Sequence, residues 1–430
     1  MPQLITTNFR VYQASEFVES FADTSNNSIY TFIGRSLPWA DENSPPSPSN
    51  NFNSEREAWE SVVSLKKVNS NDVRQVIPRY DWAAGTIYAR YNDRDTNLFS
   101  KQFYVLVLPE YKVYLCIDNN NGRQSSVKPT GISTSIFNTA DGYKWKYLYS
   151  LSDTDILKFL TRSYMPVNIN SDVSAAAVGG QIQSFIISDG GSDYSSTSTL
   201  TLQGNGSNFA GTPIVSGGSI TGVTITNPGS GYSYANVTIS GTGSNALLIP
   251  ILSPYNGHGK DLYENLGAFY VTINTRLNYS EGNGDFPVLN EYRTVGLIKN
   301  PLDSNSNVAT STTLCATTKL IAAPLSGTFS LDESLVSNVN LSNVTILSAN
   351  VVSPNVELHV LPLGNQLNNS IAFSVGNGIT GQSSGATGRI RQVINPEVKR
   401  FTGKVLYIEN RPPITRSYDQ AENIHIVIEF

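Results

Sequence analysis

Charge is scarce in this chain of 430 residues: only 15% are Asp, Glu, Lys or Arg. Ser, Thr, Asn and Gly must therefore cover much of the surface. Strong helix formers are few, so the composition favours sheet and loop over helix. The small charge imbalance is acidic, net −5 with a pI near 5.4. That argues against a general electrostatic affinity for DNA or RNA, which needs a basic footprint. The two cysteines, Cys116 and Cys315, lie far apart in sequence and read as buried thiols. The three histidines, His258, His359 and His425, show neither HxH nor HxxxH spacing, and no cysteine lies near them in sequence. No metal and no cofactor is therefore expected. No window approaches eighteen apolar residues, so no membrane span is expected. The start, MPQLITTNFR, lacks the basic-then-apolar pattern of a signal peptide. The Asn-x-Ser/Thr triplets, such as that at Asn236, then read as accidents of composition.

What the chain does have is rings: 22 Tyr, 17 Phe and 4 Trp, enough to dominate a core or an interface. Its length allows two to four domains. Residues 1–170 read as a mixed first part of a core scaffold. Short helices are expected over Ala14–Ala22, over Glu55–Lys67 with Ser54 as N-cap and Glu57 at N3, and over Thr154–Leu160. The three prolines in Asp41–Asn53 make that stretch a loop. Phe103–Leu108 and Lys112–Asp118 form a hairpin candidate, and Lys144–Leu151 reads as an aromatic strand.

From residue 171 to 254 the chain becomes rich in Gly and Ser and contains a repeat. Residues 179–195 align with 217–233 at a shift of 38, and residues 200–208 with 237–245 at a shift of 37. Each copy reads as strand, glycine turn, tyrosine, strand, turn. Neither copy buries a face alone, so the two are expected to pack into one small β module. Residues 255–302 return to scaffold character, with strands at Phe269–Leu277 and Val295–Ile298. Residues 303–400 read as a second inserted β module, and residues 401–430 as the scaffold's last strand. The fold class expected is mainly β with a few short helices, a layered β-sandwich core carrying two inserted small β modules.

Motifs for catalysis are missing or out of context. Gly376, Gly378 and Gly381 spell GxGxxG, but QSSGATG follows, which is turn-like where a dinucleotide site needs a helix. His258, between glycines in YNGHGKD, reads as a turn residue. Asp153 and Asp155 read as helix-start acids. A carboxylate pair for glycoside cleavage within an insert remains the enzymatic competitor, but the expectation is that the chain is not an enzyme.

The last stretch, IENRPPITRSYDQAENIHIVIEF, ends in a strand with Ile424, Ile426, Ile428 and Phe430 on one face and His425, Val427 and Glu429 on the other. Such a strand needs a partner in a sheet. Pro412 and Pro413 ahead of it remove two backbone donors and enforce an extended path. ENRPPI and SYDQAENI, together with IYTFIGRSLPW (29–39), VIPRYDW (76–82), DGYKWKYLY (141–149) and the weaker IKNPL (298–302), occur in the same order as in a known family. The chain resembles the baseplate wedge proteins, products of gene eight, of T-even-like contractile-tailed bacteriophages.

The resemblance implies a structural virion protein of the tail baseplate, assembled in the host cytoplasm. It would form a homodimer and dock to other wedge proteins, with bistable interfaces that repack at infection. The residues singled out within the matching segments are Arg35, Trp39, Arg79, Trp82, Trp145, Arg411, Pro412 and Pro413. Core packing is the first reading of the rings, and interface anchoring the second. Each arginine can fork onto a carboxylate. The two inserts depart from the family pattern. An alternative function follows from them: a virion binding module whose inserts contact host-surface glycan or a tail-fibre protein.

Overall fold

A computed structural model describes residues 5–22, 27–277, 291–339, 343–362, 373–415 and 421–430. The Ser417–Gln420 part of the SYDQAENI segment lies outside them. The protein is mainly β with few short helices, as its composition dictates. It divides into two compact units, each built from separated stretches of chain. One comprises Met1–Glu16, Arg74–Thr272 and Val427–Phe430, the other Phe17–Val73 and Ile273–Ile426.

In the first unit, Tyr104–Val107 and Lys112–Asp118 form the expected hairpin, with Tyr104 opposite Leu115 and Val107 opposite Lys112. Lys144–Ser150 pairs with the second of these strands, and Phe137–Asn138 completes a four-stranded sheet. Side chains alternate across this sheet. One face feeds a core of Leu106, Val113, Leu115 and Leu148, and the other a ring cluster of Tyr88, Tyr114, Tyr143, Trp145 and Tyr147. Val73–Pro78 also pairs with Tyr164–Pro166, Val76 opposite Pro166. The chain's last strand, Glu422–Glu429, has its end held by the Phe430 N–H, which donates to the Phe269 carbonyl at 3.0 Å, and its Ile424 and Ile426 are buried as the alternation requires. Within the first unit, Arg10 of the helix Thr7–Glu19 holds the end of this strand. Its guanidinium lies 3.7 Å above the Phe269 ring and donates to Glu429 Oε1 and to the Phe430 carbonyl.

The repeat in residues 179–252 folds as an interleaved pair. Each copy supplies three strands: Ile182–Ser192, Thr199–Gly204 and Ser207–Ser216 from the first, Ser219–Ser230, Ala235–Ser240 and Ser244–Leu252 from the second. The first strand of each copy pairs with the third strand of the other. The middle strands pair with each other, Leu200 opposite Ile239 and Leu202 opposite Val237. These are crossed equivalents, so the copies are related by a local two-fold axis. Tyr194 and Tyr232, equivalent in the repeat, are both buried at its centre. Each is packed against a glycine, since a Cβ on Gly243 or Gly206 would come within 2.4 Å of the Tyr194 or Tyr232 ring respectively. That close approach explains the glycine spacing.

The second unit contains a five-stranded sheet in the order Thr313–Cys315, Val62–Lys67, Ile29–Gly34, Glu291–Lys299, Lys404–Thr415. Ile29–Gly34, the central strand, is buried at all six positions. Residues 318–394 close into a six-stranded barrel. Its core is Leu320, Leu335, Ile346, Leu358, Val360 and Ile390. The GxGxxG spelling falls in this barrel. Gly378–Gly381 is a strand with no helix after it, and a Cβ at Gly381 would meet the Glu333 carboxylate at 2.5 Å.

Two helix boundaries differ from expectation. The first helix runs Thr7–Glu19, seven residues earlier than expected at its start. The second runs Phe52–Ser61, capped by Asn51, whose side chain accepts from the Ser54 N–H at 2.9 Å. Val62–Lys67 is a strand instead of its continuation. Ser64, Leu65 and Lys66 gain ladder partners on both sides, from Ile29–Gly34 and Thr313–Cys315, which a helix would forfeit.

Candidate functional site

The residues chosen from the sequence fall into two groups, one in each unit. In the second unit the segment after the central strand meets the end of the edge strand. Arg35 follows Gly34 with a left-handed backbone, φ +56°. Its guanidinium then lies 3.7 Å over the Trp39 ring and donates to the Pro38 carbonyl. Burial lowers the Arg35 pKa, and the nearby Arg293 adds to this against Glu57 and Glu42. The Trp39 indole N–H donates to the Arg411 carbonyl at 2.9 Å. Arg411 lies 3.5 Å from Glu409, in a pair too exposed to stabilise much.

Pro412 and Pro413 sit in the edge strand at an irregularity. The register passes from Tyr292 opposite Ile414 to Thr294 opposite Asn410, leaving Arg293 facing Arg411, Pro412 and Pro413. Prolines are tolerated there because an edge strand leaves donors unused. Leu37, Arg411, Pro412 and Pro413 are exposed and Trp39 is half-buried, beside a cavity of about 330 Å³ lined also by Pro46, Pro48 and Asn410. The corner is thus an aromatic, proline and arginine surface.

Two arginines that the sequence did not single out hold this corner. Arg293, 3% exposed, donates to both oxygens of Glu42 at 2.9 and 3.0 Å and also to Glu291 and the Ser36 carbonyl. It fixes both ends of the loop carrying Trp39. Arg400 donates to the carbonyls of Trp59, Glu60, Val62 and Ala316. Three of these close the helix Phe52–Ser61, where a cation also meets the negative end of the helix dipole. Burial lowers the Arg400 pKa to about 10, still protonated at neutral pH. No sequence pattern marks either residue, because their partners are remote.

In the first unit, Arg79 forks onto Asp81 with two bonds of 2.8 Å and gives its third donor to the Thr161 carbonyl. Its partner is thus two residues away in the same chain. The Trp82 indole donates to Ser125 Oγ at 3.2 Å, and Ser125 in turn donates to Asp141. Trp145 is fully buried, stacked on Tyr143 at 5.4 Å and edge-on to Tyr88 at 5.8 Å. VIPRYDW and DGYKWKYLY, 60 residues apart in sequence, therefore share one ring cluster.

Asp141 organises that meeting. It accepts from Thr139 Oγ1, Ser125 Oγ and the N–H groups of Ser126, Val127 and Tyr143. Burial pushes its carboxyl up, but these bonds outweigh it and bring the pKa down to about 2. A depressed carboxyl stabilises the fold above its unfolded pKa of about 3.9 and ceases to as pH falls towards the folded value. Asp141→Ala is therefore expected to cost about 1–3 kcal/mol at pH 7. The penalty should shrink between pH 4 and pH 2, as denaturant unfolding of both proteins at pH 7 and pH 3 would show.

Residues 3–121 match the Phage-Gp8 family, described as Bacteriophage T4, Gp8. The match makes this segment, the first part of the chain, similar to the gene-eight baseplate wedge proteins. No curated protein matches the chain. Of the chosen residues, Arg35, Trp39, Arg79 and Trp82 lie inside the wedge-family segment, while Trp145, Arg411, Pro412 and Pro413 lie beyond it. The two parts nonetheless meet within each unit, Trp39 with Arg411 and Trp82 with the Asp141 network.

Cys116 and Cys315 are buried thiols, and burial raises the pKa of Cys116. His258 is buried edge-on against Tyr91, and burial, with Lys146 nearby, lowers its pKa to about 3. Ser152 caps the helix Asp153–Phe159, accepting from the Asp155 N–H at 3.1 Å, so the aspartates are indeed helix-start acids. Among the described residues no group of three or more His, Cys, Asp or Glu side chains is arranged to hold a metal, and no helix is long and apolar enough to cross a membrane.

Proposed function

We propose that the chain acts as a homodimeric subunit of the contractile-tail baseplate wedge that docks to other wedge proteins by its surface, with no chemical step of its own. The observation that carries this reading is the corner in the second unit. Arg35, Trp39, Arg411, Pro412 and Pro413 converge there from the wedge-family segment and the edge strand to present rings, prolines and a cation outward. Tyr, Trp and Arg concentrate binding energy in interfaces, and the prolines stop that edge from recruiting further strands. The scaffold is taken to be residues 1–170, 255–302 and 401–430, with the repeat module and the barrel-bearing segment as inserts that leave the wedge contacts to it.

Light scattering on the purified chain is expected to give a dimer, and a trimer would point instead to a fibre or spike. Trp39→Ala should leave the chain folded, because that ring is half-buried at the surface. It should weaken co-assembly with neighbouring wedge proteins by at least about tenfold, as loss of an interface anchor does. Normal co-assembly of a folded Trp39→Ala chain would remove the corner from the interface.

A further inference from the structure

The strand Lys144–Ser150 puts rings on one face and cations on the other. Tyr143, Trp145 and Tyr147 enter the ring cluster, so Lys144 and Lys146 share the opposite face. That face lines a cavity of about 660 Å³, closed on its other side by strands of the repeat module. Lys146 is 7% exposed, and its single hydrogen bond among the described residues goes to the Thr134 carbonyl at 2.7 Å. An ammonium has three donors, and two of these remain unspent. His258, 2% exposed, also lines the cavity. Its Nε2 meets Gln183 Oε1 at 2.8 Å, while its Nδ1 has no partner among the described residues. With the Nε2 hydrogen donated to Gln183, Nδ1 is a buried acceptor out of reach of the cavity. No Asp or Glu lines the cavity. Its module wall carries an apolar patch of Ile214, Val223 and Ile225 beside Gln181, Gln183 and Thr224.

We propose that this cavity docks an acidic peptide segment of a protein partner. Its Asp or Glu carboxylate meets Lys146, and its apolar side chains lie on Ile214, Val223 and Ile225. A buried ammonium with unspent donors is costly, and such a carboxylate satisfies it. The wall chemistry favours a peptide over a saccharide, because no Phe, Tyr or Trp lines the cavity for a sugar to stack on and no carboxylate is there to accept its hydroxyls. The proposal does not depend on the wedge reading, since it rests on the cavity alone.

The test uses the full chain against two immobilised sets of octapeptides, one with Asp and Glu among Val and Ile, the other with Asn and Gln in their place. Retention is expected on the acidic set only, weakening with salt. Lys146→Met and Ile214→Glu should each weaken it by at least about tenfold. Ile214 is 48% exposed, so its replacement leaves the fold intact and keeps the result readable if Lys146→Met unfolds. Equal retention on both sets, retention on neither, an unaffected Ile214→Glu chain, or binding of polygalacturonate without binding of peptides would each overturn the proposal.

Discussion

Arg293→Met is expected to destabilise the second unit by about 3 kcal/mol, because it strips the cation from a buried pair and leaves its anions behind. Arg293 is 3% exposed, whereas Glu42 and Glu291 are 32% and 42% exposed, so water recovers part of the loss and the upper range for buried pairs does not apply. The consequence is local as well as global. The Ser36 carbonyl and the Glu42 carboxylate bracket the loop with Trp39, and both lose their donor. Trp39 should then lose its fixed place under Arg35 and against the Arg411 carbonyl. Guanidinium unfolding monitored by tryptophan emission would report the loss, since Trp39 and Trp59 lie in this unit. Arg293→Lys should recover only part of it, because an ammonium cannot fork across Glu42 and still reach Glu291. If Arg293→Met unfolds at the same denaturant concentration as the parent chain, the loop is held by other contacts.

Trp145→Ala should cost the first unit about 3–5 kcal/mol, the range for removing a large ring from a packed interior. Trp145 is fully buried between Tyr143, Tyr88 and the strand bearing Phe137, so no water and little backbone movement can fill the void. Trp145→Phe should cost far less. The indole N–H is buried with no partner among the described residues, so phenylalanine removes an unsatisfied donor along with some packing area. The comparison separates ring packing from hydrogen bonding, and denaturant midpoints of the three proteins would decide it. A large cost for Trp145→Phe would mean that the indole nitrogen has an unrecognised role.

Much of the fold was legible along the chain because it follows from local period and turn chemistry. The aromatic run in Lys144–Leu151 identified a strand, and the alternation in Ile424–Phe430 a strand with its buried face. The repeat at shifts of 38 and 37 identified a two-copy β module, and its matched glycines and tyrosines proved to be the close-packed centre. Where local signals competed with distant partners they misled. Glu55–Lys67 has a helical start, yet its second half is a strand, because Ile29–Gly34 and Thr313–Cys315 supply ladders that no local pattern contains. Arg293 and Arg400 were invisible for the same reason: their acceptors lie more than 80 residues away, Glu291 excepted.

By itself the sequence determined a β-rich, lightly charged protein and the segments in which it resembles the baseplate wedge proteins, because side-chain alternation, glycine and proline placement and short aromatic motifs are written in neighbouring residues. Only the tertiary structure decided which strands pair, that the repeat copies interleave about a two-fold axis, that residues 318–394 close into a barrel, and that Trp39 meets Arg411. Each of these depends on contacts between residues distant along the chain, whose worth is set by the burial they achieve together.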